Sequence, residues 1–176
     1  NMAASSLKAR RYNAIKLLMH ERIHNILQSQ TDKSKTLLKE LEEVYNEFVT
    51  LATEDINNGT LSAEDKRILN SLLNVYKKEF AKHKELLAKG NPNSFRHIEE
   101  FLVDSMTNGV LNRYLNSKQV ENATHNGKPE NLLTKIVNAI AKFFGWTSPT
   151  DGSLFMKELN IIRDIYGNNN EIITTQ

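Results

Sequence analysis

The chain has 176 residues, 23 Lys and Arg against 21 Asp and Glu, a formal net charge of +2 and no cysteine. That length fits one domain with a real core, and the near-neutral charge gives no electrostatic footprint for nucleic acid. Without cysteine, disulfide staples, thiolate zinc sites and cysteine nucleophiles are excluded and a reducing compartment is permitted; a cytoplasmic setting is the expectation.

No apolar run approaches a membrane span, and with only 7 Gly and 3 Pro the chain has few helix breakers. Residues 1–6 carry no basic-then-apolar signal and read as an expression remnant or a disordered start. Over about 7–28, Tyr12, Ile15, Met19, Ile23 and Ile26 recur at helical steps. Thr31 to Ser34 offer N-caps for a second helix over 34–57, whose stripe is Leu37, Leu41, Val44, Tyr45, Phe48 and Ala52. It stops at Asn57-Asn58-Gly59, where glycine suits the left-handed cap.

Ser62 and Asp65 form a capping box for a third helix over 62–89, with Leu69, Leu72, Leu73, Tyr76, Phe80, His83 and Leu87 on one side. Two long helices joined by so short a loop predict an antiparallel αα-hairpin. A fourth segment carries Phe95, Ile98, Phe101, Leu102 and Met106. Asn108-Gly109 then predicts a break into a second short helix with Val110, Leu111, Tyr114 and Leu115, with a β-hairpin as the rival.

Residues 116–128 read as a polar loop, and Pro129 as the first turn of the next helix. A last helix is predicted from the Ser148-Pro149-Thr150-Asp151 cap, with Leu154, Phe155, Leu159, Ile162 and Ile165, ending at Gly167. Residues 168–176 read as a frayed tail. The expectation is a single all-α domain over 1–176, a bundle of five to seven helices scaffolded by the long hairpin.

Three features bear on function. The first is His20-Glu21-Arg22-Ile23-His24, an H-E-x-x-H sequence. On a helix, imidazoles at i and i+4 bind one zinc while the glutamate acts as general base. The five residues resemble zinc metallopeptidases. The resemblance implies His20 and His24 as ligands, Glu21 as base, and a downstream third ligand such as Glu43, Glu47 or a distant histidine. Three features oppose it: Arg22 is charged, no strand pattern precedes the motif, and the pair lies about 110–150° from the helix's apolar stripe. A solvated or interfacial histidine pair is the plainer reading, and no cofactor is expected.

The second feature is 132–146. Leu132, Leu133, Ile136, Val137, Ala139, Ile140, Ala141, Phe143 and Phe144 cover a wide apolar arc that ends in Gly145-Trp146. The plain reading is a central bundle helix with Trp146 folded back over its cap. Otherwise Phe143, Phe144 and Trp146 form an aromatic wedge beside Lys128, Lys135 and Lys142. Such a wedge would bind a protein, or an anionic lipid or phosphoinositide surface. The third feature is the basic cluster Lys8, Arg10, Arg11 and Lys16, a solvated face or a dock for an acidic partner or lipid.

The composition, with 21 Asn, 16 Lys and no Cys, resembles the helical domains of secreted effectors from intracellular bacteria. That resemblance implies work in the host cytosol or at a host membrane, on a host or bacterial regulatory protein. With strong caps and no convincing catalytic set, the expectation is a non-enzymatic protein-binding module.

Overall fold

In the computed structural model, residues 2–29, 31–90, 95–125 and 128–144 are described. Each long helix begins where a side chain caps it. Thr31 stands extended before α2 (Asp32–Asn58), and its hydroxyl accepts from the Ser34 N–H at 3.1 Å. Gly59 ends α2 at φ 67, its N–H donating to the Asp55 carbonyl. Ser62 caps α3 (Ala63–Ala88) by accepting from the Asp65 N–H at 3.2 Å. The long hairpin is therefore present, with the caps the sequence predicts.

α1 (Met2–Gln28) precedes this pair, and α4 (Arg96–Thr107) and α5 (Gly109–Ser117) follow it. Asn108 makes the joint between α4 and α5. Its N–H donates to the Asp104 carbonyl at 2.8 Å, and its Oδ1 accepts from the N–H groups of Val110 and Leu111 at 3.1 Å each. One side chain thus satisfies two orphan donors of the new helix, and the rival β-hairpin does not form there.

Helical spacing does not show where the centre lies. Ten of the twelve residues of α4 are buried, and α4 packs against α1, α2, α3 and α5. Phe101 sits among Phe48, Tyr45 and Tyr76, with ring centroids 5.2, 5.5 and 5.9 Å away. The Tyr45 and Tyr76 contacts are edge-on, an arrangement that adds about 0.5–1.5 kcal/mol per pair beyond burial.

The prediction for 116–131 is corrected. Residues Gln119–His125 (β1) and Lys128–Asn131 (β2) pair antiparallel, with Gln119 opposite Asn131 and His125 opposite Lys128. Pro129 lies in β2, not in a helix, where its missing N–H is tolerated in a two-stranded ribbon. The helix α6 (Leu132–Phe144) starts only after Asn131, whose Oδ1 accepts from the Thr134 N–H at 2.8 Å. The last predicted helix, its cap and the tail lie outside the described residues.

Two polar groups lie deep in this core. The Tyr76 hydroxyl donates to Asp104 Oδ2 at 2.7 Å. Burial pushes the Asp104 carboxyl upward against the opposing pull of Tyr76 and Lys16, and burial with the Asp104 charge pushes the Tyr76 phenol well above its ordinary value. Tyr76→Phe leaves that carboxylate short of a donor. The expected loss is about 1–3 kcal/mol in urea unfolding, with the slope against denaturant unchanged.

Candidate functional site

The H-E-x-x-H histidines lie on α1 where it crosses α4. Lys16, His20, His24 and Gln28 recur every fourth residue and so form one ridge along α1. Lys16 Nζ stands 3.7 Å from Asp104 Oδ1, and His20 Nε2 stands 3.0 Å from Glu100 Oε1. His24 Nδ1 lies 2.8 Å from Glu99 Oε1, and Gln28 Nε2 donates to the same oxygen at 3.5 Å. Residue numbers rise on α1 as they fall on α4, so the four contacts form an antiparallel polar ladder.

This geometry gives the motif's two histidines carboxylate partners on α4. Each imidazole turns a ring nitrogen to a different carboxylate. Among the described residues, no group of three or more His, Asp or Glu side chains is placed to hold a metal ion. Glu21 is exposed, while Glu99 is only 4% exposed. A buried carboxylate demands donors, and α1 supplies them. Arg96 Nε also lies 3.8 Å from Glu100 Oε1. The apolar side of the α1 docking comes from Met19, Ile23 and Leu27, all buried, with Ile15 and Ile26 partly covered.

The α6 candidates are distributed differently. Leu132, Leu133, Ile136, Val137, Ala139 and Ile140 are buried, and Phe143 packs partly buried against the core. Lys135 is half-buried, and Lys142 is paired with Glu40 at 3.1 Å. The bundle therefore covers most of this arc. A groove of about 270 Å³ runs beside it, lined by Lys33, Thr36, Leu37, Ala139 and Phe143 among others. The Phe144 side chain and Trp146 lie outside the described residues.

The basic cluster is divided: Lys16 turns to Asp104, and its arginines face outward. Arg10 and Arg11 are exposed, while the side chains of Lys8 and Tyr12 lie outside the described residues. Beside the two arginines stand three exposed leucines, Leu7 at 54%, Leu17 at 64% and Leu18 at 50%. Sequence spacing marks the inner stripe of α1, and Leu17 beside the histidines as a candidate for cover by a partner, but misses Leu7 and Leu18 on this second face. At about 100° per residue, Leu7, Ala14 and Leu18 fall within about 40° of one line, opposite Met19, Ile23 and Leu27. Leu17 lies about 100° from Leu18 around the helix, at the edge of this face.

Sequence reading also passed over His97. It is 2% exposed, its Nδ1 has no hydrogen-bond partner, and its ring lies 5.0 Å from that of buried His83. The helical spacing His97, Phe101, Asp104 was the available signal that it faces inward.

If the ladder is structural, its members will separate by stability, not by metal. His24→Ala leaves Glu99 with Gln28 alone and is expected to lower stability by about 1–3 kcal/mol, whereas Glu21→Ala changes it by less than about 0.5 kcal/mol. Chemical denaturation beside elemental analysis for zinc makes the check. Comparison with family models, with curated proteins and with solved structures finds no match for this chain, so its functional reading rests on these residues.

Proposed function

We propose that this protein is a non-enzymatic helical binding module that engages another protein through the outward face of α1. One observation carries the reading. α1 has two apolar faces, and the bundle covers only one of them. Met19, Ile23 and Leu27 are 0–3% exposed, while Leu7, Leu17 and Leu18 on the far side are at least half exposed. A groove on a partner that receives Leu7, Leu17 and Leu18 at helical spacing is the matching geometry.

Charge narrows the partner. Residues 1–20 contain Lys8, Arg10, Arg11 and Lys16 and no Asp or Glu. A surface that meets Leu7 and Leu17 therefore also meets Arg10 and Arg11, so an acidic rim around an apolar groove fits best. A second copy of α1 would bring like charges together and fits worse. Three leucines spread over an arc of about 100° also make a shallow membrane anchor, which favours protein over an anionic lipid or phosphoinositide surface. No helix among the described residues is long and apolar enough to cross a membrane. The Asn- and Lys-rich composition supports a bacterial effector working in a cytosol, with a regulatory protein as the partner.

The test is a paired capture experiment with the full chain and a Leu17→Glu/Leu18→Glu variant. Both side chains are exposed, so the variant should keep its thermal midpoint within a few degrees. The reading expects proteins retained by the unaltered chain to be lost from the variant, with retention falling as salt rises. Equal retention by both, or salt-sensitive binding of the unaltered chain to anionic vesicles with no protein captured, would overturn it.

A further inference from the structure

At the start of α4, two imidazoles meet inside the protein. His83 of α3 is 7% exposed and His97 of α4 is 2% exposed, with ring centroids 5.0 Å apart. Aromatic rings surround them. Phe80 lies 5.0 Å and Tyr45 5.3 Å from His97, and Phe95 lies 5.5 Å from His83. This wall offers no acceptor to His97 Nδ1, which stands without a hydrogen-bond partner. A neutral His97 is tolerable in such a box. A proton on it puts a cation into low-dielectric surroundings beside the His83 ring.

The charged groups around the pair give little relief. From α2, Glu42 faces His83, but burial raises its carboxyl, against the lowering by His83, so it gives up its negative charge earlier on acidification. From α3, Glu79 is held by Arg96 at 3.9 Å and Lys82 at 3.6 Å, and Lys84 lies over the Phe80 ring at 4.8 Å. Tyr45, also of α2, has its phenol pushed up to about 12 by burial and stays neutral. None of these carboxylates accepts from His97 Nδ1.

We infer that His97, packed against His83, makes the seam between the C-terminal half of α3 and the start of α4 an acid-sensitive joint, closed while the His97 ring is neutral and opened by its protonation. Opening exposes Tyr45, Phe95 and the buried side of Phe80, an apolar surface separate from the α1 face. The inference does not depend on the partner assigned above.

The sign follows from proton binding. Burial, with the neighbouring His83, lowers His97 from 6.5 to about 4 in the closed state. Above pH 6.5 the ring is neutral in both states and the closed joint keeps its full stability. As pH falls from 6.5 toward 4, the open state takes up a proton that the closed state refuses. If opening restores the ordinary value, the opening constant rises about 30-fold between pH 7.5 and pH 5.

Two measurements on the full chain test this. Imidazole titration by nuclear magnetic resonance should show His97 neutral in the native state until near pH 4. Amide hydrogen exchange, corrected for its intrinsic pH dependence, should show opening across 84–90 and 96–100 rising about 30-fold from pH 7.5 to pH 5, while α6 keeps its protection. His97→Phe should cut that rise to less than about threefold. Should that variant fail to fold, the titration of the unaltered chain still decides. Native His97 titrating near 6.5, protection lost uniformly across the protein, or an undiminished rise in His97→Phe would each overturn the joint.

Discussion

A short helix buried on nearly every side cannot carry ionised groups unless its neighbours supply their partners. α4 is that helix, and Glu99 and Asp104 are 4% and 7% exposed within it. The surrounding elements are arranged to meet this demand. α3 brings Tyr76 to Asp104, and α1 brings Lys16 to Asp104 and His24 with Gln28 to Glu99. Asn112 of α5 donates to the Ser105 carbonyl at 2.9 Å, and Ser105 and Thr107 turn their hydroxyls back to the α4 backbone. Replacing α4 with an apolar helix would leave α1 with three buried residues and no polar register.

That register explains the two-faced character of α1. The ladder fixes which side of α1 meets the bundle and which side stays outside. With Lys16, His20, His24 and Gln28 committed to α4, the arc that holds Leu7, Leu18 and Arg11 is turned away, and Leu17 and Arg10 stand exposed at its edge. The proposed binding face is thus a consequence of how buried carboxylates are satisfied. The sides of α4 also differ chemically: carboxylates that need donors face α1, and the buried His97 ring meets Tyr45 of α2 and Phe80 of α3.

Much of the fold was legible. Caps at Thr31, Ser62 and Asn108, and glycine at 59, gave the helix ends because each satisfies backbone groups through residues nearby in the chain. The ribbon at 119–131 was not seen, since its two strands lack a strong period-two apolar pattern. The Asn126-Gly127 pair between them was the usable hairpin signal, and it was read as loop. The site was less legible than the fold. A four-residue polar period on α1 could be counted in the sequence, but its carboxylate partners lie 71 to 80 residues away for the His20, His24 and Gln28 rungs. Local spacing alone made His20 and His24 resemble a zinc motif, because contacts of that range leave no local trace.

The claim that α4 carboxylates hold α1 in register is tested most directly by a double-mutant cycle between His24 and Glu99. Stability would be measured for the unaltered chain, His24→Ala, Glu99→Ala and the double variant under one buffer. A structural rung predicts a coupling energy of about 0.5–3 kcal/mol, with the double variant losing less than the sum of the singles. Additivity within about 0.3 kcal/mol, together with zinc at one equivalent in the unaltered chain, would contradict the ladder and return His20 and His24 to the role of metal ligands.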